Sequence, residues 1–354
     1  MNPKHLLNLV GDRLHTLPLV VLYLTDGCNS RCVTCDIWRN PRRNMDMTLV
    51  EQIASECKSL GVQWILLSGG EAMQHPQWPQ IARRFRAEGV HVMLLTNGLL
   101  LRKQAREVID SVDEVIVSLD GGTAATYEAI RGVDGFDLIL EGIRDIRAGG
   151  IPVTTRTTVQ RANFREIPQI ITAAKNVDVN HISFLTVDVS NEFAFGPRFQ
   201  ADTTLQIANM GPGAPPEHGP EASALTPDDV VELGEILDEV ETTYAGDFAS
   251  GRLVESPQKL RWMLTYFNAV NGDGDFAPPR CNAPHTSTII EVDGSLRPCY
   301  FLPTYGRLKS NKLSEAINQE PAQALRRAYR SGQRAECERC VCPLYKGPRA
   351  LLRL

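Results

Sequence analysis

Residues 28 to 35 read CNSRCVTC and place the thiols of Cys28, Cys32 and Cys35 within eight residues, shortly after the apolar run LPLVVLYL. Cysteine thiolates bind zinc and iron–sulfur clusters, and a closed structural zinc site takes four ligands. Three local thiolates therefore predict one of two sites. A distant cysteine completes the set, as in a zinc knuckle, or the metal centre keeps an open position, which is what a catalytic site needs.

A second group of five cysteines lies near the carboxyl end of the chain. Seventeen residues separate its first two members, and the last three fall within the segment CERCVC; the five are Cys281, Cys299, Cys337, Cys340 and Cys342. Only Cys57 stands outside the two groups, and its place on an amphipathic helix predicts a small buried side chain. Tight cysteine spacing in a long α/β chain indicates metal or iron–sulfur binding rather than a disulfide framework.

The composition is that of a globular protein. The 354 residues predict about two domains, and a hydrophobic fraction of 43% is enough for a sizeable core. The net charge of −5 gives no basic excess, so nucleic acid and anionic membrane surfaces are disfavoured as partners. No stretch approaches the roughly 20 apolar residues of a membrane span, and no small-residue cleavage site follows residues 17–24. We expect a cytoplasmic protein.

Short β-branched apolar runs alternate with amphipathic stretches along the first half of the chain. They predict six strands, at residues 19–25, 64–68, 91–96, 114–120, 152–159 and 181–187. Near-continuous apolar strands separated by helices predict a parallel sheet covered by helices, and six such units fit a partial (β/α)₆ barrel as well as an open sheet. In both, ligands collect at the carboxyl ends of the strands, which is where the Cys28 loop begins.

Helix start signals divide the rest of the chain. Thr48 and Glu51 predict a capping box on the first long helix, and the pairs Thr226-Pro227 and Ser256-Pro257 predict two later helix starts. The predicted organisation is an extension (1–16), the barrel (17–190), an irregular Pro/Gly-rich loop (191–225), a helical connector (226–280) and a small α+β cysteine module (281–354).

Four motifs each follow one of the first four predicted strands: C-x₃-C-x₂-C at 28–35, SGGE at 68–71, TNG at 96–98 and SLDG at 118–121. In type and order they resemble the motifs of the radical S-adenosylmethionine (SAM) enzymes, and Arg131-Gly132 adds to the last one. The resemblance covers about residues 17–190 and favours the partial (β/α)₆, TIM-like barrel over the open sheet.

The resemblance implies that the first three thiolates hold a [4Fe–4S] cluster whose remaining iron binds SAM. It implies SAM contacts from the strand ends, at Ser68, Gly69, Gly70, Glu71, Asn97, Ser118 and Asp120. Paired glycines let a main chain approach a ligand closely. Arg156, on the fifth predicted strand, is expected to pair with the SAM carboxylate as a bidentate fork. Thr34 departs from the family, which often has an aromatic residue there, and we expect Ile37 or Trp38 to pack near the adenine instead.

The carboxyl-terminal cysteines, with Gly294 five positions before Cys299, resemble the twitch or truncated SPASM module that follows some radical SAM barrels. This resemblance implies one auxiliary [4Fe–4S] cluster, with Cys281, Cys299, Cys337 and Cys340 as the predicted ligands. Cys342 is left over and could replace either neighbour. A zinc ribbon with four cysteines is the alternative, because spacing alone does not separate zinc from iron.

Together the resemblances imply an enzyme that cleaves SAM reductively to a 5′-deoxyadenosyl radical, which abstracts hydrogen from an unactivated carbon. We expect an oxidoreductase acting on a small molecule or a peptide, with an electron donor such as flavodoxin or ferredoxin. One alternative is a peptide maturase that forms a cross-link, an epimer or a thioether. The other is a non-enzymatic iron–sulfur or zinc protein, in which the SGGE and SLDG segments would have no purpose.

Overall fold

The computed structural model describes residues 4–191, 220–277 and 280–345 of the chain. Most of the loop predicted at 191–225 lies outside these residues, and at its end Pro220–Ser223 forms a single turn of helix. In the part of the chain that is described, no helix is long and apolar enough to cross a membrane.

Nine strands form one sheet. They are β1 (Leu19–Thr25), β2 (Trp64–Gly69), β3 (His91–Thr96), β4 (Glu114–Ser118), β5 (Val153–Val159), β6 (His181–Thr186), β7 (Ser287–Ile290), β8 (Ser295–Arg297) and β9 (Gly306–Arg307). Their order across the sheet is β6-β5-β4-β3-β2-β1-β7-β8-β9.

Helices follow or connect these strands. They are α1 (Lys4–Leu7), α2 (Met47–Leu60), α3 (Trp78–Ala87), α4 (Ala105–Ser111), α5 (Ala124–Arg131), α6 (Phe136–Ala148), α7 (Ile167–Asn176), α8 (Pro220–Ser223), α9 (Pro227–Thr243), α10 (Ala245–Ser250), α11 (Pro257–Val270), α12 (Ala283–Thr286), α13 (Leu313–Ala316), α14 (Glu320–Arg330) and α15 (Ala335–Glu338).

The first six strands are parallel and adjacent in chain order, with a helix in each connection. On β1 to β3, fully buried side chains alternate with half-buried ones, as with Val92 and Leu94 against Met93 and Leu95 on β3. The prediction of an α/β fold with a partial (β/α)₆ barrel is confirmed, and the predicted strands agree with the observed ones to within about two residues.

The carboxyl-terminal module continues the barrel sheet. β7 pairs with β1 in parallel, with Leu19 opposite Ser287 and Leu22 opposite Ile290. β8 and β9 then extend the sheet as antiparallel strands. A partner for β1 removes the exposed edge that a six-stranded barrel would otherwise leave there. Pairing along β1 therefore joins the barrel and the cysteine module.

Local capping agrees with two of the three predicted helix starts. Thr226 and Ser256 are the N-caps of α9 and α11, as expected. The capping box predicted at Thr48 and Glu51 is wrong. Asp46 caps α2 by accepting from the Thr48 N–H over 2.6 Å, since its carboxylate precedes Thr48 at the position where the chain is still extended. Cys57 is fully buried on this helix, as predicted.

A buried carboxylate joins α2 to the module. The Glu56 side chain accepts from the N–H groups of Leu313 and Ser314 and from the Ser314 hydroxyl, the last over 2.6 Å. Glu56 is only 9% exposed, so it serves as a remote cap for the first turn of α13. The contact holds the module against the outer helix layer of the barrel.

We expect Glu56→Ala to lower the free energy of unfolding by about 2 kcal/mol, because it leaves buried N–H donors of α13 without an acceptor. The measurement is denaturant unfolding of the protein under anaerobic conditions. Glu128→Ala, an exposed helical position, is the matched control and should change stability by less than about 0.5 kcal/mol. Equal effects of the two substitutions would contradict the capping role.

Candidate active site

The loop that carries the first cysteine set lies against the end of β2. The Gly70 N–H donates to Thr25 O over 2.7 Å, and the Glu71 N–H donates to Gly27 O over 2.8 Å. A Cβ on Gly70 would lie 2.2 Å from Gly27 O, and one on Gly69 would lie 2.5 Å from Thr25 O. Gly69 also has a φ of +125°, which other residues rarely adopt. Both glycines are therefore required for the loop to reach the strand, whatever ligand they also approach.

The three thiols of this loop are partly buried and face hydrogen-bond donors. The Ser30 N–H lies 3.5 Å and the Asn97 side-chain amide 3.8 Å from Cys28 Sγ, and Arg131 Nη1 lies 3.4 Å from Cys32 Sγ. Burial raises the pKa of the Cys28 thiol to about 12. A thiolate at this position therefore depends on these donors and on a positively charged metal centre.

The hydrogen-bond donors that face Cys28 and Cys32 fit an iron–sulfur cluster. A zinc ion, with Zn–S distances of about 2.3 Å, would need its sulfurs about 3.8 Å apart. The larger core of a cluster spaces its thiolates more widely, and N–H donors directed at sulfur are typical of cluster sites.

Arg131 joins the cysteine loop to β4 and β5. Its Nη2 lies 2.6 Å from Asp120 Oδ2 in a nearly buried ion pair, and Asp120 Oδ1 accepts from the Thr158 N–H over 2.7 Å. Burial alone would lower the pKa of Arg131, but the charges of Asp120 and Cys32 outweigh it and raise that pKa. The neighbouring Tyr127 hydroxyl is buried, and burial raises its pKa to about 12. One fixed positive charge therefore serves both the carboxylate and the thiol.

Glu71 is a brace between two strand ends. It is 1% exposed, and its carboxylate accepts from the Met73 N–H, the Thr96 hydroxyl and the Asn97 N–H over 3.1, 2.9 and 2.8 Å. Burial raises its pKa. The Asn97 side chain in turn donates to Asn29 Oδ1 over 2.8 Å, within the cysteine loop. Glu71, predicted to contact SAM, thus also fixes the Asn97 side chain beside Cys28.

The other predicted SAM contacts lie on neighbouring strands. Ser68 lies opposite Tyr23, one residue before the end of β2, and Ser118 lies opposite Arg156 across β4 and β5. Arg156 is also close enough to Cys342 to influence its charge: burial raises the pKa of the Cys342 thiol, and Arg156 opposes that shift. The guanidinium of Arg156 therefore lies near both the SAM-side strands and the auxiliary module.

Four auxiliary thiols gather around one tyrosine. The pKa of Tyr329 is raised to about 12, first by burial and then by the four thiols of Cys281, Cys337, Cys340 and Cys299. These are the four predicted ligands. Cys342 lies near the same thiols, because its charge acts on the pKa of Cys340 and the charge of Cys281 acts on its own. Burial raises the pKa of Cys299 to about 12, and the charges of Cys281 and Cys337 add to that shift. The choice of four ligands among the five thiols stays a prediction.

The two cysteine sets begin at opposite ends of the paired strands β1 and β7. Leu19 and Ser287 are paired, and Cys28 follows the carboxyl end of β1 whereas Cys281 precedes the amino end of β7. Cys299 follows β8, which runs back toward that same amino end. β1 has seven residues, so it is about 20 Å long at about 3.3 Å per residue. Cys340 and Cys342 lie beside the carboxyl end of β6, in a cleft described below.

Sequence reasoning missed a cleft between β6, α11 and the segment 339–343, which contains Lys259, Trp262 and Tyr266 from α11. Asp188, just after β6, is 5% exposed and accepts from the Tyr266 hydroxyl over 3.1 Å. The available signal was an aromatic residue one turn after a lysine, on a helix that follows the barrel. That pattern is too common to single out by itself.

Two family models match the chain. The Radical SAM superfamily model matches residues 22–174, and the SPASM iron–sulfur cluster-binding domain model matches residues 281–341. The first spans β1 to α7 and contains the three-cysteine loop, and the second contains four of the five auxiliary cysteines. Both fall where the structure gathers the thiols.

Two curated relatives align with the barrel half of the chain. The AdoMet-dependent heme synthase of Methanosarcina barkeri is 33% identical over 175 residues, which is 47% of this chain and 50% of the relative. The probable GTP 3′,8-cyclase of Saccharolobus islandicus is 32% identical over 170 residues, which is 46% of this chain and 54% of the relative. The chain thus spans about half the length of the curated relatives it matches.

The fold extends further than the sequence likeness. The crystal structure of Streptococcus suis SuiB bound to S-adenosylmethionine has a TM-score of 0.66 and 13% identity, over 97% of this chain and 76% of that chain. The likeness therefore includes the carboxyl-terminal module as well as the barrel. The chain therefore carries a radical SAM domain at residues 22–174 and a SPASM-type iron–sulfur module at residues 281–341, and these domains imply SAM, a SAM-binding [4Fe–4S] cluster and auxiliary iron–sulfur as cofactors.

Proposed function

We propose that this radical SAM enzyme is an oxidoreductase that removes hydrogen from an unactivated carbon of a small-molecule or peptide substrate. The observation that carries the proposal is the presence of two separate thiol sets on one sheet, with a cleft beside the second. The first set follows β1 and is the one proposed to take SAM. We place the substrate beside the second.

The residues of the first set have distinct tasks. Cys28, Cys32 and Cys35 are the proposed cluster ligands, and Arg131 holds a positive charge against the second of them. Asn97 places its amide beside Cys28 because Glu71 fixes the preceding main chain. The glycine pair keeps the loop against β2. When bound, the cluster and SAM supply a 5′-deoxyadenosyl radical, and an auxiliary cluster supplies an acceptor for one electron.

The strand ends offer matching contacts for SAM. Ser68 and Ser118 present hydroxyls on β2 and β4, suited to the amino and ribose groups. Arg156, opposite Ser118, presents a fork suited to the SAM carboxylate. The fork of Arg131 is already taken by Asp120 and Cys32.

The relatives do not decide between an oxidoreductase and a peptide maturase, because their activities differ from one another. SuiB is described with a bound precursor peptide, and at 14% identity that likeness extends to the fold alone. We further propose a cytoplasmic location and a small electron-transfer protein such as flavodoxin or ferredoxin as the reductant.

The reduced protein should cleave SAM to 5′-deoxyadenosine and methionine, slowly without substrate. Cys32→Ala should abolish cleavage, because it removes a cluster ligand and the partner of Arg131. The measurement is 5′-deoxyadenosine by liquid chromatography after dithionite reduction. Cys57→Ala is the control: its thiol lies in the core of α2, so cleavage should persist with some loss of stability. Full cleavage by the Cys32 variant would refute the ligand assignment.

Arg131→Lys should slow SAM cleavage about tenfold or more. A lysine keeps the charge and can pair with Asp120, but it lacks the fork that serves Asp120 and Cys32 together. The measurement is the cleavage rate against SAM concentration in protein with equal iron content. Arg144→Lys, on the exposed face of α6, should leave the rate unchanged. An unchanged rate for both variants would show that the fork has no role.

The reconstituted protein should hold about eight irons, four in each cluster. Cys299→Ala should leave about four, with SAM cleavage retained and conversion of the substrate abolished, because Cys299 belongs to the second thiol set and not to the one proposed to take SAM. Metal loss can also unfold a metal-binding module, so circular dichroism must first show the variant folded. Four irons with one zinc in the unmutated protein would instead mean that the module is a zinc ribbon.

A further inference from the structure

The cleft between β6, α11 and segment 339–343 has mostly apolar walls. They come from both the barrel and the module, and include Phe184, Leu185, Met263, Tyr266, Phe276 and Val341. At its rim the Trp262 side chain is 42% exposed, one of few large apolar side chains exposed to this degree among the described residues. A surface of this kind suits a ligand with an apolar or aromatic body.

The two charged groups on this wall of the cleft, Glu255 and Lys259, differ in burial and in hydrogen bonding. Glu255 is 5% exposed, and its two oxygens accept from the Ser183 hydroxyl over 3.0 Å and from the Phe184 N–H over 2.9 Å. Lys259 Nζ is 3.7 Å from Glu255, beyond hydrogen-bond distance, and its side chain is 46% exposed. Glu255 is thus satisfied by uncharged donors, and Lys259 can turn to another acceptor at little cost.

Arg339 adds a second positive charge on the opposite wall. Its guanidinium carbon lies 5.1 Å from the centre of the Phe276 ring. A cation–π contact leaves in-plane N–H donors available for an acceptor. The cleft therefore combines apolar walls and an exposed indole with two positive groups, Lys259 and Arg339, against one buried carboxylate that is already hydrogen-bonded.

The thiols beside the cleft offer a competing use for these charges. Cys340 and Cys342 also line it, and Lys259 and Arg156 both act to lower the pKa of Cys342, which burial raises. If Lys259 served only the auxiliary thiolates, its removal would lower the iron content. It would not change which small molecules the cleft binds. The two roles therefore predict different results for the same variant.

We propose that the cleft binds the substrate as a carboxylate: a small organic acid with an apolar or aromatic body, whose carboxylate pairs with Lys259 and Arg339 and whose body packs on Trp262. This inference rests on the proposed function, because it places the substrate at the cleft beside the auxiliary thiols. The chemistry is that of charge complementarity in an apolar site, where one well-placed cation discriminates a carboxylate from its neutral amide.

The test uses three probes of the same shape and different charge: 4-phenylbutyrate, 4-phenylbutanamide and 4-phenylbutylamine. Anaerobic calorimetry on the fully reconstituted protein should show the acid binding at least tenfold more tightly than the amide, with the amine weakest. Lys259→Met should reduce the preference for the acid over the amide to threefold or less. Trp262→Ala should weaken the acid and the amide by similar factors, because both share the ring.

Lys58→Met, at an exposed position of α2, is the matched control and should keep the full preference. Iron content and substrate-free SAM cleavage, measured on the same samples, separate this proposal from the proposed function. Both should be unchanged in Lys259→Met. If the unmutated protein did not cleave SAM, the proposed function would be refuted, but the binding result would still stand.

Three outcomes would overturn the inference. The first is no binding of 4-phenylbutyrate at millimolar concentration, or binding no tighter than that of the amide. The second is loss of iron from Lys259→Met with the preference intact, which would assign the lysine to the auxiliary thiolates. The third is at least tenfold tighter binding of N-acetyl-Gly-Gly-Phe than of 4-phenylbutyrate, lost on amidation of the peptide, which would assign the carboxylate to a peptide terminus.

Discussion

The active-site end of the barrel depends on one close approach, that of the cysteine loop to the end of β2. Two main-chain hydrogen bonds, from Gly70 to Thr25 and from Glu71 to Gly27, hold the two segments together. No side chain fits between them, since a Cβ on Gly70 would lie 2.2 Å from a carbonyl oxygen. Once the loop is fixed, Glu71 falls where it can reach the end of β3, and the donors beside Cys28 follow.

The charges at this end of the barrel depend on one another. Arg131 and Asp120 form a nearly buried ion pair, and such a pair is strongly destabilised when one partner is removed. Asp120 is further held by the Thr158 N–H, so the pair is anchored to β5. Arg131 can therefore present one nitrogen to Cys32 without leaving its carboxylate. Thus the ion pair of Arg131 and Asp120 also places a positive charge beside the Cys32 thiol.

Much of this could be predicted from sequence because it is local. Each apolar run gave a strand, and each motif after a strand lies at a strand end, since carboxyl ends of parallel strands share one edge. Where two signals competed the prediction failed, as when Asp46 rather than Thr48 capped α2. The cleft could not be predicted, because Lys259 and Arg339 are 80 positions apart and only the folded chain brings their segments together.

The shared sheet also joins the two thiol sets in one rigid framework. β1 carries the first set beyond its carboxyl end, and the parallel strand β7 begins after Cys281, at the opposite end. The pairing fixes the register of the two strands, because a slip by one residue would move every buried side chain to the other face. Arg156 is opposite Ser118 and near Cys342. This arrangement is the geometric basis for the proposal that the substrate lies between the two sets.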